Sequence, residues 1–272
     1  MGYKRILSVQ DISCVGKCSM SVAMPILSAF GHEVCILPTA VLSTHTGMKT
    51  KPAVHHLGDA LPGFREHWER EGVRFDIIST GYLGSIGAID EVLTIADKLL
   101  VPGGKLIVDP AMADHGKLYS GLDDAYAKAM YRLCSKADIL LPNITEAAML
   151  AGLPYDELSE SYVSGLLNGQ PCDRVILTGV GYADDETGAE IRDGDSLFSY
   201  RHKRFPKNYH GTGDIFAACV TGAVASGKDL YTGAKIAADF TEAAIKTTWD
   251  DPDGCYGVKF EPCLWRIHEM LK

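Results

Sequence analysis

The sequence predicts an α/β protein in which a mostly parallel central sheet carries helices on both faces. Apolar runs at residues 6–10, 33–38, 75–80, 105–108, 138–141 and 174–178 have strand length and little polar alternation. Strands buried on both faces read that way, and parallel neighbours need crossover helices between them. Helical patterns do separate these runs, so strand, loop and helix recur in series. With 272 residues, 46% hydrophobic and 22% charged, the chain has enough material for a large buried core. No linker, low-complexity tract or internal repeat divides it, so residues 1–272 are expected to form one domain.

The strand at 6–10 ends in Asp11, and a Ser/Cys/Gly turn leads to an apolar helix over 19–30 that stops at Gly31. After the strand at 33–38, residues 39–51 have the small, polar character of a functional loop. A helix is expected over 55–71, with His55 and His56 at its solvated start. The strand at 75–80 runs through Gly81 to Ser85 into a helix ending at Leu100, and Asp109-Pro110 closes the strand at 105–108. A helix over 122–135 precedes the strand at 138–141, then Pro142-Asn143 and a helix over 144–151. Another helix over 159–167 leads to the strand at 174–178 and the turn Gly179 to Gly181. Between Glu186 and Phe205 the period changes to two around Asp193-Gly194, the mark of a hairpin. A helix that begins around Gly211 to Asp214, then helices over 230–248 and 262–271, complete the chain. Loops 43–51 and 112–121 and the hairpin 186–205 are candidate covers for a site.

A net charge of −9 with pI near 5.4 argues against a nucleic-acid surface, which needs a basic stripe. No run approaches the roughly 18 apolar residues of a membrane span, and Met1 to Arg5 lead into a strand rather than a signal peptide. A cytoplasmic protein is expected. The eight cysteines include no Cys-x-x-Cys, and Cys14 and Cys18 have no second pair nearby, which argues against structural zinc. Gly222 to Asp229 misses a phosphate-binding loop by one residue: Asp229 stands where Ser or Thr would hold magnesium, and Gly227 reads as a helix C-cap. Gly179 to Asp184 starts like a dinucleotide fingerprint but continues as acidic loop where a helix is required.

Ligands of parallel sheets bind beyond the carboxyl ends of the strands. Asp11, Thr44 to Thr46, Tyr82, Asp109, Asn143, Glu146 and Thr178 all fall there. The most informative stretch is Tyr209 to Ala218, where Gly211, Thr212, Gly213 and Asp214 stand at the mouth of an apolar helix. The first amides of a helix lack intrahelical partners and, with the macrodipole, hold anions. Gly211 and Gly213 let the backbone approach a ligand closely. Asp214 would repel a bound phosphate unless it acts as base for an attacking hydroxyl. The alternative is that Thr212 or Asp214 only caps the helix. Asn143 and Glu146 pose the same choice, between an amide and carboxylate serving phosphate and magnesium-bound water and a capped helix with an acidic first turn. Asp109, fixed by Pro110, is a second candidate metal ligand. Two carboxylates, an amide and a glycine-lined helix mouth match what γ-phosphoryl transfer requires, namely positioning and charge neutralisation.

These residues resemble a family. Gly211-Thr212-Gly213-Asp214 opening a helix, with Asn143 and Glu146 upstream, is similar to the ribokinase superfamily. Within it, Ser79 to Ser85, Asp109-Pro110-Ala111-Met112 and Leu42 to Gly47 resemble the vitamin B6 kinases, which phosphorylate the 5′-hydroxymethyl group of pyridoxal, pyridoxine or pyridoxamine. The likeness runs from the first strand to the penultimate helix. It implies a ribokinase-like α/β/α sandwich, use of ATP and Mg²⁺, a monovalent cation as a further candidate, and a homodimer. Position by position it implies Asp214 as the catalytic base and the amides of Gly211, Thr212 and Gly213 as its anion hole. Asp109 and Glu146 match carboxylates on the metal and phosphate side, Asn143 and Thr178 match nucleotide contacts, and Thr46 and Tyr82 match the pyridine pocket. Asp11 departs from the pattern, because pyridoxal kinases commonly have Ser after the first strand's Gln. A carboxylate there suits the ammonium of pyridoxamine, a ring N–H or the 3-hydroxyl. It also leaves open a hydroxymethylpyrimidine or sugar substrate, or a vitamin-binding protein without turnover.

Overall fold

A computed structural model describes residues 2–205, 207, 209–250 and 256–272, so Cys255 lies outside the described residues. The main-sheet strands are β1 (Arg5–Ser13), β2 (Glu33–Leu42), β3 (Val54–His56), β4 (Phe75–Thr80) and β5 (Leu100–Val108). A separate small hairpin follows, β6 (Ala113–Asp114) with β7 (Lys117–Leu118), and then β8 (Ile139–Leu140), β9 (Arg174–Thr178), β10 (Glu186–Asp193) and β11 (Ser196–Lys203) return to the main sheet. The helices are α1 (Met20–Ala29), α2 (Leu61–Arg70), α3 (Ile86–Leu99), α4 (Asp124–Cys134), α5 (Ile144–Ala151), α6 (Glu160–Asn168), α7 (Thr212–Ala225), α8 (Leu230–Thr248) and α9 (Trp265–Met270). Among the described residues the main sheet has nine strands in the order β11-β10-β9-β8-β5-β4-β1-β2-β3, parallel from β9 through β2.

The two-residue period of a strand divides each apolar run between two cores. Ile6, Ile77, Ile107, Ile139 and Ile176 face one side, where α1, α7, α8 and α9 bury their apolar residues. Leu7, Ile78, Val108, Leu140 and Leu177 face the other, covered by α2 to α6. Both clusters are fully dry at their centres, which is why these runs show no polar alternation. The result is the expected helix, sheet, helix sandwich.

Several boundaries move. The strand expected to stop at Gln10 continues to Ser13, with a register irregularity between Gln10 and Ile12, so Asp11 lies inside β1 rather than after it. β2 likewise absorbs Thr39 to Leu42 from the presumed loop. Residues 54–56 are not a helix start. They pair antiparallel with β2, His56 opposite Ala40 and Val54 opposite Leu42, and the helix begins only at Leu61. Exposed His55 and His56 offer no apolar stripe for a helix, whereas the edge of β2 has backbone groups to satisfy. The hairpin 186–205 forms as expected and belongs to the main sheet. β10 pairs antiparallel with β9 and buries Ala189 and Ile191, so it widens the sheet.

The near-miss phosphate loop is packing. A Cβ on Gly222 would fall 2.3 Å from the Phe30 ring, Gly227 takes φ +83° beyond α7, and the Asp229 carboxylate accepts the Thr232 N–H to cap α8. No helix among the described residues is long and apolar enough to cross a membrane.

Candidate active site

Parallel strands that stop on one edge deliver their following residues to one place. Tyr82 follows β4, Asp109 follows β5, Asn143 follows β8, Thr178 ends β9, and Asp11 lies near the end of β1. The N-terminus of α7 arrives beside them from the α1 face. Gly211 is its N-cap at φ +84°, and among the described residues no side chain caps the helix. The Thr212 hydroxyl donates instead to the Tyr209 carbonyl at 3.3 Å. Capping therefore does not explain Thr212 or Asp214, and the first amides of α7 remain available to an anion. A Cβ on Gly211 would fall 2.0 Å from the Lys17 carbonyl oxygen, while one on Gly213 would meet nothing within 4 Å. The turn is thus backed by protein at Gly211 and open at Gly213.

Asp214 stands in the first turn of α7, and burial pushes its carboxyl up to about 7. The Ser19 backbone N–H pulls it back, and the charge of Asp11 adds to the rise. Burial also holds Asp109 well above the carboxylate range, with the charges of Glu146 and Asp214 acting in the same direction. Glu146 is only 2% exposed, and burial raises it to about 7 against three backbone donors. Those donors are the N–H groups of Met112 (2.9 Å), Asn143 (3.0 Å) and Ala113 (3.4 Å). With the Glu146 N–H donating to the Asn143 amide oxygen at 3.0 Å, the pair forms a capping box. The Asn143 amide nitrogen donates to the Ala113 carbonyl at 2.8 Å. The capping alternative is therefore realised in this pair, and it ties the β6–β7 hairpin to α5. What it leaves for a ligand is one N–H of Asn143 and the outer lone pairs of Glu146.

Among the described residues, none of Asp11, Asp109, Glu146 or Asp214 has a basic partner within salt-bridge distance. Asp11 and Glu146 are buried and Asp109 and Asp214 half-buried; desolvated carboxylates without counter-charge are costly, and the cost falls when a cation binds. Among the described residues no three His, Cys, Asp or Glu side chains form a metal cluster on their own, so a cation here would share its coordination with a ligand's oxygens.

Asp11 is 4% exposed; burial raises its carboxyl, and the hydroxyls of Ser19 and Ser13 oppose the rise. Tyr82 is raised by burial and then by the Asp11 charge, which places the phenol and the carboxylate near each other. Thr46 sits in the exposed loop beyond β2. The Thr178 hydroxyl donates to the Pro142 carbonyl at 3.4 Å, and Thr178 bridges to Asn143, so it buttresses the α5 start.

Two participants were not visible in the sequence. Ser19 adopts φ +53°, ψ −128°, a strained backbone for a residue with a Cβ, and it faces both Asp11 and Asp214. Only a glycine there would have signalled the conformation. Tyr119, from the 112–121 loop, has its hydroxyl pushed up by burial and by Glu146, Asp109 and Asp214, which places it beside the acids.

The profile of the phosphomethylpyrimidine kinase family matches residues 68–258. The pyridoxal kinase of Lactobacillus plantarum superposes with TM-score 0.91 at 33% identity, covering 99% of this chain and 98% of that one. A Bacteroides thetaiotaomicron protein described as a phosphomethylpyrimidine kinase, solved with pyridoxal, superposes with TM-score 0.89 at 32% identity, covering 99% of this chain and 96% of that one. The pyridoxal kinase of Arabidopsis thaliana is 27% identical over 263 residues, 91% of this chain and 83% of that one.

Proposed function

The chain belongs to the phosphomethylpyrimidine kinase family, and on that premise we propose that it phosphorylates the 5′-hydroxymethyl group of a B6 vitamer with ATP. The observation that carries this reading is the mouth of α7, which no described side chain caps, with a half-buried, desolvated Asp214 in its first turn that has no basic partner among the described residues. The vitamer hydroxyl meets Asp214, which takes its proton as the oxygen bonds to the γ-phosphorus and the bond to the departing ADP breaks. The amides of Gly211, Thr212 and Gly213 receive the charge on the transferred phosphoryl group. Asp109 and Glu146, with Asn143 and Thr178 beside them, form the nucleotide side. Magnesium bound with ATP would be held by Asp109 and Glu146 and supplies charge neutralisation between carboxylates and phosphates. Tyr82, Thr46 and Asp11 take the pyridine ring, and stacking on Tyr82 is worth about 1 kcal/mol beyond burial. The same reading makes the chain a cytoplasmic enzyme that works as a homodimer on small-molecule partners.

The deciding experiment is turnover with ATP and Mg²⁺, with and without K⁺, on pyridoxal, pyridoxamine, pyridoxine, hydroxymethylpyrimidine and ribose. A B6 phosphate product is expected. Hydroxymethylpyrimidine phosphate without any B6 product would replace the vitamer by a pyrimidine, and no product at all would leave a binding protein.

The pH profile follows from the base. Asp214 works only when deprotonated, and its value of about 7 lies far above the ordinary 3.8. Activity is therefore expected to fall about tenfold per pH unit below neutrality, with kcat/KM showing an acid limb centred near 7. A limb centred near 4 would remove Asp214 from that role.

Asp11→Ser is expected to lower the pyridoxamine-to-pyridoxal ratio of kcat/KM by about tenfold, because a charged hydrogen bond to the ammonium is worth about 1.5–3 kcal/mol. An unchanged ratio means that Asp11 does not set vitamer preference.

A further inference from the structure

We infer that His210 is a positioning residue whose ring passes the seating of the vitamer-side loop, residues 43–48, to the backbone turn that holds the transferred phosphoryl group. The inference rests on the kinase reading above. Residue 210 is where three remote segments meet the turn. His45 is 3% exposed; its N–H donates to the Val15 carbonyl at 3.2 Å, and its ring sits where a Cβ of Gly16 would be, 2.1 Å away. The loop is folded on that ring by the Gly47 N–H, which donates to His45 Nδ1 at 3.1 Å. The Gly47 backbone in turn lies flat on His210, since a Cβ there would come within 2.3–2.7 Å of three ring atoms. The rings of His45 and His210 stand 5.0 Å apart at 44°.

On its other side His210 is fixed by main chain. Its carbonyl accepts the Val258 N–H at 3.3 Å, and the next residue, Gly211, is pressed against the Lys17 carbonyl. Lys17 is itself held by Glu261 at 2.6 Å. A shift of the loop that carries Thr46 therefore reaches Gly211 through one ring. The ring is exposed, so it contributes little to the core. What it contributes is placement, and a misplacement of about 1 Å at a phosphoryl site costs on the order of 10²-fold in rate.

The test is a double-mutant cycle on the full chain with ATP and pyridoxal. His210→Ala is expected to lower kcat at least tenfold while the KM for ATP stays within twofold, and His210→Phe, which restores a ring, is expected to keep kcat within threefold. Gly47→Ala drives a Cβ into the ring and is expected to lower kcat by a similar factor. In the His210→Ala background the same Gly47→Ala change is expected to cost less than twofold, because the atoms it strikes are gone. Wild-type kcat in His210→Ala, or losses that multiply, overturns the proposal. If His210→Ala does not fold, Gly47→Ala decides alone: the position is exposed and its φ suits any residue, so wild-type kinetics there overturn the proposal. Wild-type turnover is measured first. Absence of any B6 product defeats the kinase reading and this inference with it, whereas turnover with multiplicative losses defeats the inference only.

Discussion

Asp214→Ala is expected to lower kcat by about 10²–10⁴-fold, the range for removing a positioned general base, while ATP affinity changes by no more than a few fold. The asymmetry follows from placement. Asp214 stands in the first turn of α7; in the proposed reading it meets the acceptor hydroxyl, whereas Asp109, Glu146 and the α7 amides serve the phosphates. Steady-state kinetics with pyridoxal, together with calorimetric ATP binding, separate the two quantities. A variant with near-normal kcat would dismiss Asp214 as base.

Removing the same charge by Asp214→Asn carries an opposite sign for stability. A carboxyl whose folded value is about 7 and whose ordinary value is 3.8 binds its proton more tightly when folded. Between these values folding takes up a proton, so stability falls as pH rises through that window, and the full cost is present above about 7. Asp214→Asn is therefore expected to raise the melting temperature by a few degrees at pH 8 and to have little effect at pH 4. Thermal melts of the ligand-free protein at both pH values check this, and equal shifts at the two would contradict the burial account. Catalysis and stability conflict at this residue because the desolvation that tunes the base also penalises its charge.

Gly211→Ala is expected to abolish most activity and to lower stability together. The residue sits at φ +84°, where an L side chain costs on the order of 1–2 kcal/mol, and its Cβ would lie 2.0 Å from the Lys17 carbonyl oxygen, a main-chain atom that cannot rotate away. The turn must move, and with it the amides that face the phosphoryl group. A fall in kcat of about 10²-fold is expected from such a displacement, with a lower melting temperature. Gly213→Ala is the informative control. Its Cβ would meet nothing within 4 Å, so its melting temperature is expected to stay near wild type while activity falls because the methyl enters ligand space. If Gly211→Ala keeps its activity, the Gly211 to Gly213 amides are not the anion hole.

Much of the framework is local, and it was legible for that reason. Ile6-Leu7, Ile77-Ile78, Ile107-Val108 and Ile176-Leu177 are pairs of adjacent apolar residues, and only a strand covered on both faces buries both members of each pair. The glycines and Asp214 at the mouth of α7, and Asn143 with Glu146 at the mouth of α5, are within one helical turn of each other, so chain spacing alone placed them at helix starts. Those same few residues carried the family resemblance that the fold and the relatives bear out.

What the tertiary structure decided involves groups far apart in the chain. His55 and His56 became an edge strand because β2 offered unpaired backbone, and the 186–205 hairpin joined the sheet because β9 offered another edge. Ser19 is strained and serves Asp214 across almost the whole sequence, and His210 meets Gly47 through a ring contact that no spacing rule describes. Above all, Asp109, Glu146 and Asp214 are three ordinary acids in the sequence and one desolvated, mutually repelling group in the fold. Local pattern selects helices, strands and caps through interactions that span a few residues. The protonation of a carboxylate depends on how much water remains around it, and that is known only once every surrounding element is in place.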